Sequence, residues 1–504
     1  MEKLKIPLYE ALIKHAQNSP ASYHVPGHHN GAALEYALQA IDRGQADEIR
    51  GHLSAMMQLD VTELSSTDDL HHPEASIMEA QRLAAQCYGA EETCFLVGGS
   101  TSGNLALLLA VCDPGDLIIV QRNVHKSVIN GLKLAGARAV FLTPRIDKGS
   151  GLSMVPTVEQ MKAALHQYPE AKAVFLSNPN YYGMGVKLDA YVEVCHEYGK
   201  PLLIDEAHGA HYGIHDQLPT SAIQAEADGV VQSTHKTLPA LTMGAMLHLQ
   251  GSLLDRRRVR EALAMVQSSS PSFPIMASLD ISRAIVDKLG YKLFHSAIEA
   301  IQSFRLWVRE SKMIITALDV EHNFDMQIDP LRLILKVPSG KLSGYELHRE
   351  LEKHGCWAEM SDPLYTVLVI GPQAAADGTL SRLKDALTAI HQTYASSECH
   401  DLYDLHRPYS VEWSDHGEDI SEPVVFARSK ELASTRVPLD EAIDHRSAEM
   451  IVPYPPGIPL VYPGERFSSS HLADIKRLSD AGAKFQGAEE GTMATVAILI
   501  EEKC

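Results

Sequence analysis

Two stretches, Pro201-Leu202-Leu203-Ile204-Asp205 and Gly229-Val230-Val231-Gln232-Ser233-Thr234-His235-Lys236, decide the reading of this chain. Each is a short apolar run that stops on reactive side chains: an acid in the first, a hydroxyl, a histidine and a lysine in the second. Runs of the same kind lie at Thr93–Val97, Leu117–Gln121, Ala139–Thr143, Ala173–Asn178 and Ala245–Leu249. Between several of them the apolar residues recur with helical period, at Gly103–Val111, Ser127–Ala135, Val158–His166 and Asp189–Tyr198. Strands apolar on both faces and separated by helices predict an α/β fold, a mostly parallel seven-stranded-type sheet covered on both sides. Ligands of such sheets sit beyond the carboxyl ends of the strands. The residues just after each run are therefore where function is to be sought.

A lysine after a strand can be a solvated loop charge. Asp205 argues for more, because an unpartnered carboxylate at a buried strand tip is costly. An acid and a lysine from two strand ends suit pyridoxal 5′-phosphate: the lysine forms the Schiff base and the acid keeps the pyridine nitrogen protonated. A phosphate cradle is offered by Gly98-Gly99-Ser100-Thr101-Ser102-Gly103-Asn104, which follows the strand and opens the helix Leu105–Val111. The other reading of that stretch is a glycine-rich turn with hydroxyl N-caps. Arg122-Asn123-Val124-His125-Lys126-Ser127 follows the next strand, and His125 there suits stacking on a planar ring or capping a helix.

Composition narrows the classes. The chain has 504 residues, 64 acids against 44 bases and a formal charge of −20, a field that repels phosphate backbones and anionic membranes. No apolar stretch is long enough to span a bilayer, and the amphipathic start lacks a signal-peptide centre. Seven scattered cysteines without C-x-x-C spacing predict a reduced, cytoplasmic protein with no cysteine metal site. The pattern divides into an N-terminal segment 1–74, a large domain 75–285, a small α/β domain 286–395, an acidic linker 396–425 and a C-terminal domain 426–504. In the small domain the helical stretches are Leu293–Thr316, Gly344–His354 and Arg382–Tyr394, and the strand-like runs are Leu331–Val337 and Tyr365–Ile370. His208, His211 and His215 have a spacing that allows a metal site, but the pattern that contains them has a better explanation below, and no metal is expected.

The series GGSTSGN, RNVHKS, SNPNYYG, DEAHGAH and STHK resembles the Orn/Lys/Arg decarboxylases, fold-type-I pyridoxal-phosphate enzymes. HVPGHHNG (His24–Gly31), DVTELSSTDDLHHPEASI (Asp60–Ile77) and the proline-rich PYPPGIPLVYPGE (Pro453–Glu465) extend the resemblance over nearly the whole chain. With the PGH motif so early, the chain resembles the short form, without the N-terminal wing of the long bacterial enzymes. The resemblance implies that Lys236 carries the cofactor, Asp205 pairs with the pyridine nitrogen and His125 stacks on the ring. Thr101, Ser102 and Ser233 would bind the phosphate with Ser100 nearby, and His235 would contact the phosphate or relay a proton. Ala207 and His208 would pack near the other ring face, and Ser269 and Ser270 would reach a partner subunit's phosphate. It further implies a homodimer or an assembly of dimers.

Three positions depart from the family pattern: His29 for the lysine of PGHK, Asn180 for the threonine of NPTYYG and Ala75 for a glycine. None falls in the cofactor set, and the first and third bear on substrate choice. Asp68, Asp69 and Glu465 are candidates to meet a distal ammonium or guanidinium. The expected activity is decarboxylation of a basic L-amino acid to an amine and carbon dioxide. The DDLH pattern and short architecture resemble the arginine/lysine group, which sets arginine ahead of lysine and ornithine. The alternatives are another reaction on the same fold, such as transamination, and a non-catalytic regulatory paralogue.

Overall fold

The computed structural model describes residues 3–18, 20–319, 326–396, 420–426, 433–454, 457–480, 482–486 and 493–500. All seven apolar runs are strands: β1 (Glu92–Leu96), β2 (Leu117–Gln121), β3 (Arg138–Leu142), β4 (Val174–Ser177), β5 (Leu202–Asp205), β6 (Gly229–Gln232) and β7 (Ala245–Leu249). The chain forms two interleaved compact units, residues 1–111, 205–214 and 221–290 in the first, 112–204, 215–220 and 291–504 in the second.

In the first unit β1, β7 and β6 lie side by side, with β7 antiparallel to both neighbours. The helix Gly99–Val111 rests directly on them, and it is apolar almost all round because it is buried almost all round. Gly103 permits the approach: a Cβ there would come 2.8 Å from Leu96 Cδ1 and 2.9 Å from Val231 Cγ1. The N-terminal helix Pro7–Gln17 docks on the helix Phe273–Leu289. Asp280 Oδ2 accepts from the Leu8 amide at 3.0 Å, while Arg283 donates to Asp280 at 2.5 Å and to the Lys5 carbonyl at 2.6 Å. Two charges removed from water persist only when each is matched in this way. Leu8, Leu12, Ile77, Phe95, Met246 and Phe273 share the apolar core around this anchor.

In the second unit the order is β5-β4-β2-β3, with β2 parallel to β3 and to β4. The strand Val424–Val425 adds an antiparallel edge to β3. A separate antiparallel sheet is built from Met360–Ser361, Tyr365–Val369, Arg332–Lys336 and Thr316–Ala317, in that order. The helix expected over Leu293–Thr316 stops at Glu310. Lys312 takes a positive φ of 53° and breaks it, and the β-branched Ile314-Ile315-Thr316 run turns to strand instead. The C-terminal stretch has its own core of Leu439, Ile451, Val461, Phe467, Ile475 and Ile498. Most of the linker expected at 396–425 lies outside the described residues. Among those described, Cys87, Cys94, Cys112, Cys195 and Cys356 are free thiols, and no helix is long and apolar enough to cross a membrane.

Candidate active site

In the first unit, one turn ties the glycine-rich stretch to the lysine. After β6 the chain makes a single helical turn, Thr234–Thr237, that carries His235 and Lys236, and it returns through Met243 and Gly244 into β7. The Met243 carbonyl accepts from the Gly99 amide at 2.8 Å. The Gly244 carbonyl accepts from the His235 amide at 3.1 Å and from its ring Nδ1 at 2.9 Å. The start of the glycine-rich helix and the lysine segment thus hang on adjacent carbonyls.

The stretch expected as a loop before a helix at Gly103 is itself helical. The helix begins at Gly99, so Ser100, Thr101 and Ser102 form its first turn, where backbone N–H groups have no intrahelical acceptor. Gly99, at φ 69°, makes the sharp entry. Ser102 is buried and donates to the Gly99 carbonyl at 2.8 Å; Ser100 is half-buried and Thr101 exposed. Ser233 is fully buried, and its Oγ has no hydrogen-bond partner among the described residues. A buried hydroxyl left unsatisfied costs free energy unless a ligand takes it up. The exposed helix turn and the spare hydroxyl fit a phosphate group.

Asp205 is buried, with both oxygens engaged. Asn104 Nδ2 donates to Oδ2 at 2.8 Å and the Ala207 amide to Oδ1 at 3.1 Å. Burial pushes its carboxyl above the usual range, against the Lys236 charge and the Asn104 and Ala207 hydrogen bonds, which favour the anion. Lys236 is half-buried, with Nζ 3.0 Å from Nε2 of the buried His208. The donor set comprises a lysine, an acid held as an acceptor and a phosphate-sized group of donors. That is the chemistry pyridoxal phosphate requires.

The other expected residues have these places. Asp68, at φ 76°, accepts from the amides of Asp69, Glu74, Ala75 and Ile77 at 2.8–3.0 Å. Burial alone would raise its carboxyl, yet these amides hold it below the usual range. Asp69 accepts from the His71 amide at 2.8 Å. Both acids therefore shape the entry to the helix Ser76–Tyr88. His71 Nε2 donates to the Ser268 carbonyl at 2.9 Å, which ties this loop to the segment carrying Ser269 and Ser270. His125 and Glu465 belong to the second unit. His125 caps the helix Lys126–Ala135, with Nδ1 2.8 Å from Ser127 Oγ. Glu465 receives Arg122 Nη2 at 2.9 Å on both oxygens and the Tyr462 amide at 2.8 Å. Among the spaced histidines, His208 meets Lys236, whereas His215 Nε2 lies 3.2 Å from His295 Nδ1.

Two buried partners escaped the sequence reading. Asn104 stood inside the quoted glycine-rich stretch, and the signal was a polar residue on an otherwise apolar helix. Glu206, next to Asp205, turns away from it: it accepts from Ser221 Oγ at 2.8 Å, the Ala222 amide at 2.7 Å and Gln232 Nε2 at 2.6 Å. Burial pushes its carboxyl up to about 7.

Comparison with known proteins shows which family the chain resembles along its length. Residues 6–377 match the Orn/Lys/Arg decarboxylase major domain and residues 424–494 the C-terminal domain of the same family. The chain is 39% identical to the Bacillus subtilis protein YaaO, over 99% of its length and 100% of the relative's. It is 33% identical to the Bacillus subtilis arginine decarboxylase, over 100% of this chain and 99% of that one. The lysine decarboxylase LdcF of Francisella novicida superposes with a TM-score of 0.82 at 19% identity, covering 99% of this chain and 82% of that structure.

Proposed function

The chain belongs to the Orn/Lys/Arg decarboxylase family, and from that membership we propose that it removes the α-carboxylate of a basic L-amino acid, with arginine ahead of lysine and ornithine. The observation that carries this reading is the set around Asp205 and Lys236: an acid held by Asn104 and the Ala207 amide, and a lysine held by His208. End-to-end likeness to an arginine decarboxylase supports the order of substrates.

Pyridoxal phosphate, held at Lys236 Nζ, would supply a sink for the electron pair left when carbon dioxide departs. Asp205 would pair with its ring nitrogen. Ser233, Ser102 and the first-turn amides near Ser100 and Thr101 would hold its phosphate, with His235 fixed alongside by Gly244. His125 is proposed as the ring-stacking residue. The chain's own work is then positional and protic. Asn104 orients Asp205 and favours its ionised form. His208 Nε2 takes a hydrogen bond from Lys236 Nζ, which steers that nitrogen and gives it a proton partner. Lys236 Nζ would hold the proton that the α-carbon takes up. We assign recognition of the distal cation to the acidic segment around Asp68 and Asp69, with Glu465 as the further candidate.

A homodimer is proposed as the working form. The N-terminal segment leaves Tyr23 95%, Tyr36 79% and Val25 63% exposed, apolar surface that a second copy would cover. The deciding experiment measures carbon dioxide release from arginine, lysine and ornithine with added pyridoxal phosphate. Arginine should be turned over fastest. Formation of a keto acid without carbon dioxide would replace decarboxylation by transamination.

A further inference from the structure

We propose that the second unit carries a binding site for a small organic phosphate, in the cavity between the 148–151 loop and the turn that follows the strand Arg332–Lys336. This site is independent of the proposed reaction. The cavity has a volume of about 300 Å³, and its charged lining consists of Lys148 and Lys336. Among the described residues no carboxylate lines it. In a chain of net charge −20, that is the reverse of the prevailing field.

The neighbouring acids form no ion pair with either lysine, and each is engaged by other donors. Asp147 Oδ2 accepts from the Ser150 amide at 2.7 Å and its hydroxyl at 2.6 Å. Glu346 Oε2 accepts from the Ser343 amide at 2.8 Å and its hydroxyl at 2.9 Å, closing a capping box on the helix Gly344–Lys353. That box also satisfies the helix start, so the helix end adds nothing to the site. Asp362 accepts the amides of Leu364 and Tyr365, both at 2.7 Å, and the Tyr182 hydroxyl. Lys341, the nearest further cation, donates to the Ala395 carbonyl. Neither Lys148 nor Lys336 makes an ion pair with a described residue. Elsewhere arginines find acids, as Arg256 does with Glu91 and Arg260 with Glu92.

Two lysines that line one cavity offer like charges to it, and a dianion would satisfy both. The remaining wall selects the body of the ligand. Pro338, Leu342, Pro363 and Leu364 give an apolar wall, with the buried Tyr365 ring behind it and Lys336 Nζ 5.8 Å from the centre of that ring. The Tyr365 hydroxyl is satisfied within the protein, donating to the Ser150 carbonyl at 2.8 Å. A phosphate near the lysines with an apolar group against Pro338 and Leu364 meets both halves of the cavity. Inorganic phosphate meets only one.

The test uses the full chain loaded with pyridoxal phosphate, so that the active-site phosphate cradle is already filled. Calorimetric titration with phenyl phosphate should give one saturable site per chain. Inorganic phosphate, which lacks the apolar body, and benzoate, which lacks the second charge, should each bind at least about tenfold more weakly. In Lys148→Gln/Lys336→Gln the affinity for phenyl phosphate should fall at least about tenfold, while turnover and melting temperature without ligand stay unchanged. Lys336→Arg keeps the charge and should keep binding, which separates loss of the site from loss of the fold. Undiminished binding in the double glutamine variant would overturn the proposal. So would the absence of saturable phenyl phosphate binding, or equal affinity for all three probes.

Discussion

Asn104→Leu keeps a branched side chain and removes the hydrogen bond to Asp205. Asn104 is fully buried and donates to Asp205 Oδ2 at 2.8 Å, and a hydrogen bond to a charged group is worth roughly 1.5–3 kcal/mol. That energy favours the anion alone, so its loss adds to the burial that already raises the Asp205 carboxyl. At about 1.4 kcal/mol per factor of ten, the ionised fraction at a fixed acidic pH falls by roughly tenfold to a hundredfold. The sign follows directly. Asp205 must be an anion to pair with a protonated ring nitrogen, so the acid limb of the kcat profile should move to higher pH while the alkaline plateau changes much less. The assay is kcat against pH from 5 to 9 at saturating cofactor, beside the pH dependence of the cofactor's visible absorbance. A merely structural role would lower kcat by one factor at every pH and leave the limb where it was. That result would refute the argument.

Asp205→Asn keeps the size but cannot hold a ring nitrogen protonated; kcat should fall by at least about a hundredfold, about 3 kcal/mol, and near-normal kcat at saturating cofactor would end its assigned role. Glu206 tests linkage: its folded value of about 7 stands above the ordinary 4.5, so its contribution to stability is complete below 4.5 and is lost as the pH rises through 7. The span corresponds to about 3 kcal/mol, and the melting temperature of Glu206→Gln should gain on the unsubstituted protein between pH 5 and pH 8; a constant difference across that window would contradict it. Asp280→Ala leaves the buried Arg283 without its carboxylate and should destabilise by roughly 3–5 kcal/mol, read as an earlier thermal transition. A transition that does not move would show that water reaches Arg283.

The strand ends were legible because a buried strand must be apolar and must stop where its polar residues begin. Asp205, His208, Ser233 and Lys236 could therefore be named from the pattern. Partnerships were not legible, since periodicity carries no information about which side chains meet. Asp68 shows the difference: an acid in a polar loop suggests a substrate role, and the pattern does not show the backbone amides that it also anchors. Asn104 was hidden for the opposite reason, as one polar residue inside a stretch explained by its glycines and hydroxyls. The reversal of β7 was also unreadable, because a short buried run is equally apolar in either direction.

That reversal has a consequence for how the molecule tolerates change. Since β7 runs back beside β6, residues 233–244 join the two directly, and the Met243 and Gly244 carbonyls of that connection seat the phosphate-cradle helix and the lysine turn together. Cradle and lysine therefore share one ruler, the residues between Thr237 and Met243. Lengthening that ruler by even one residue would shift both at once relative to β7. Tolerance of insertions, usually greatest in loops, should here be least in this turn.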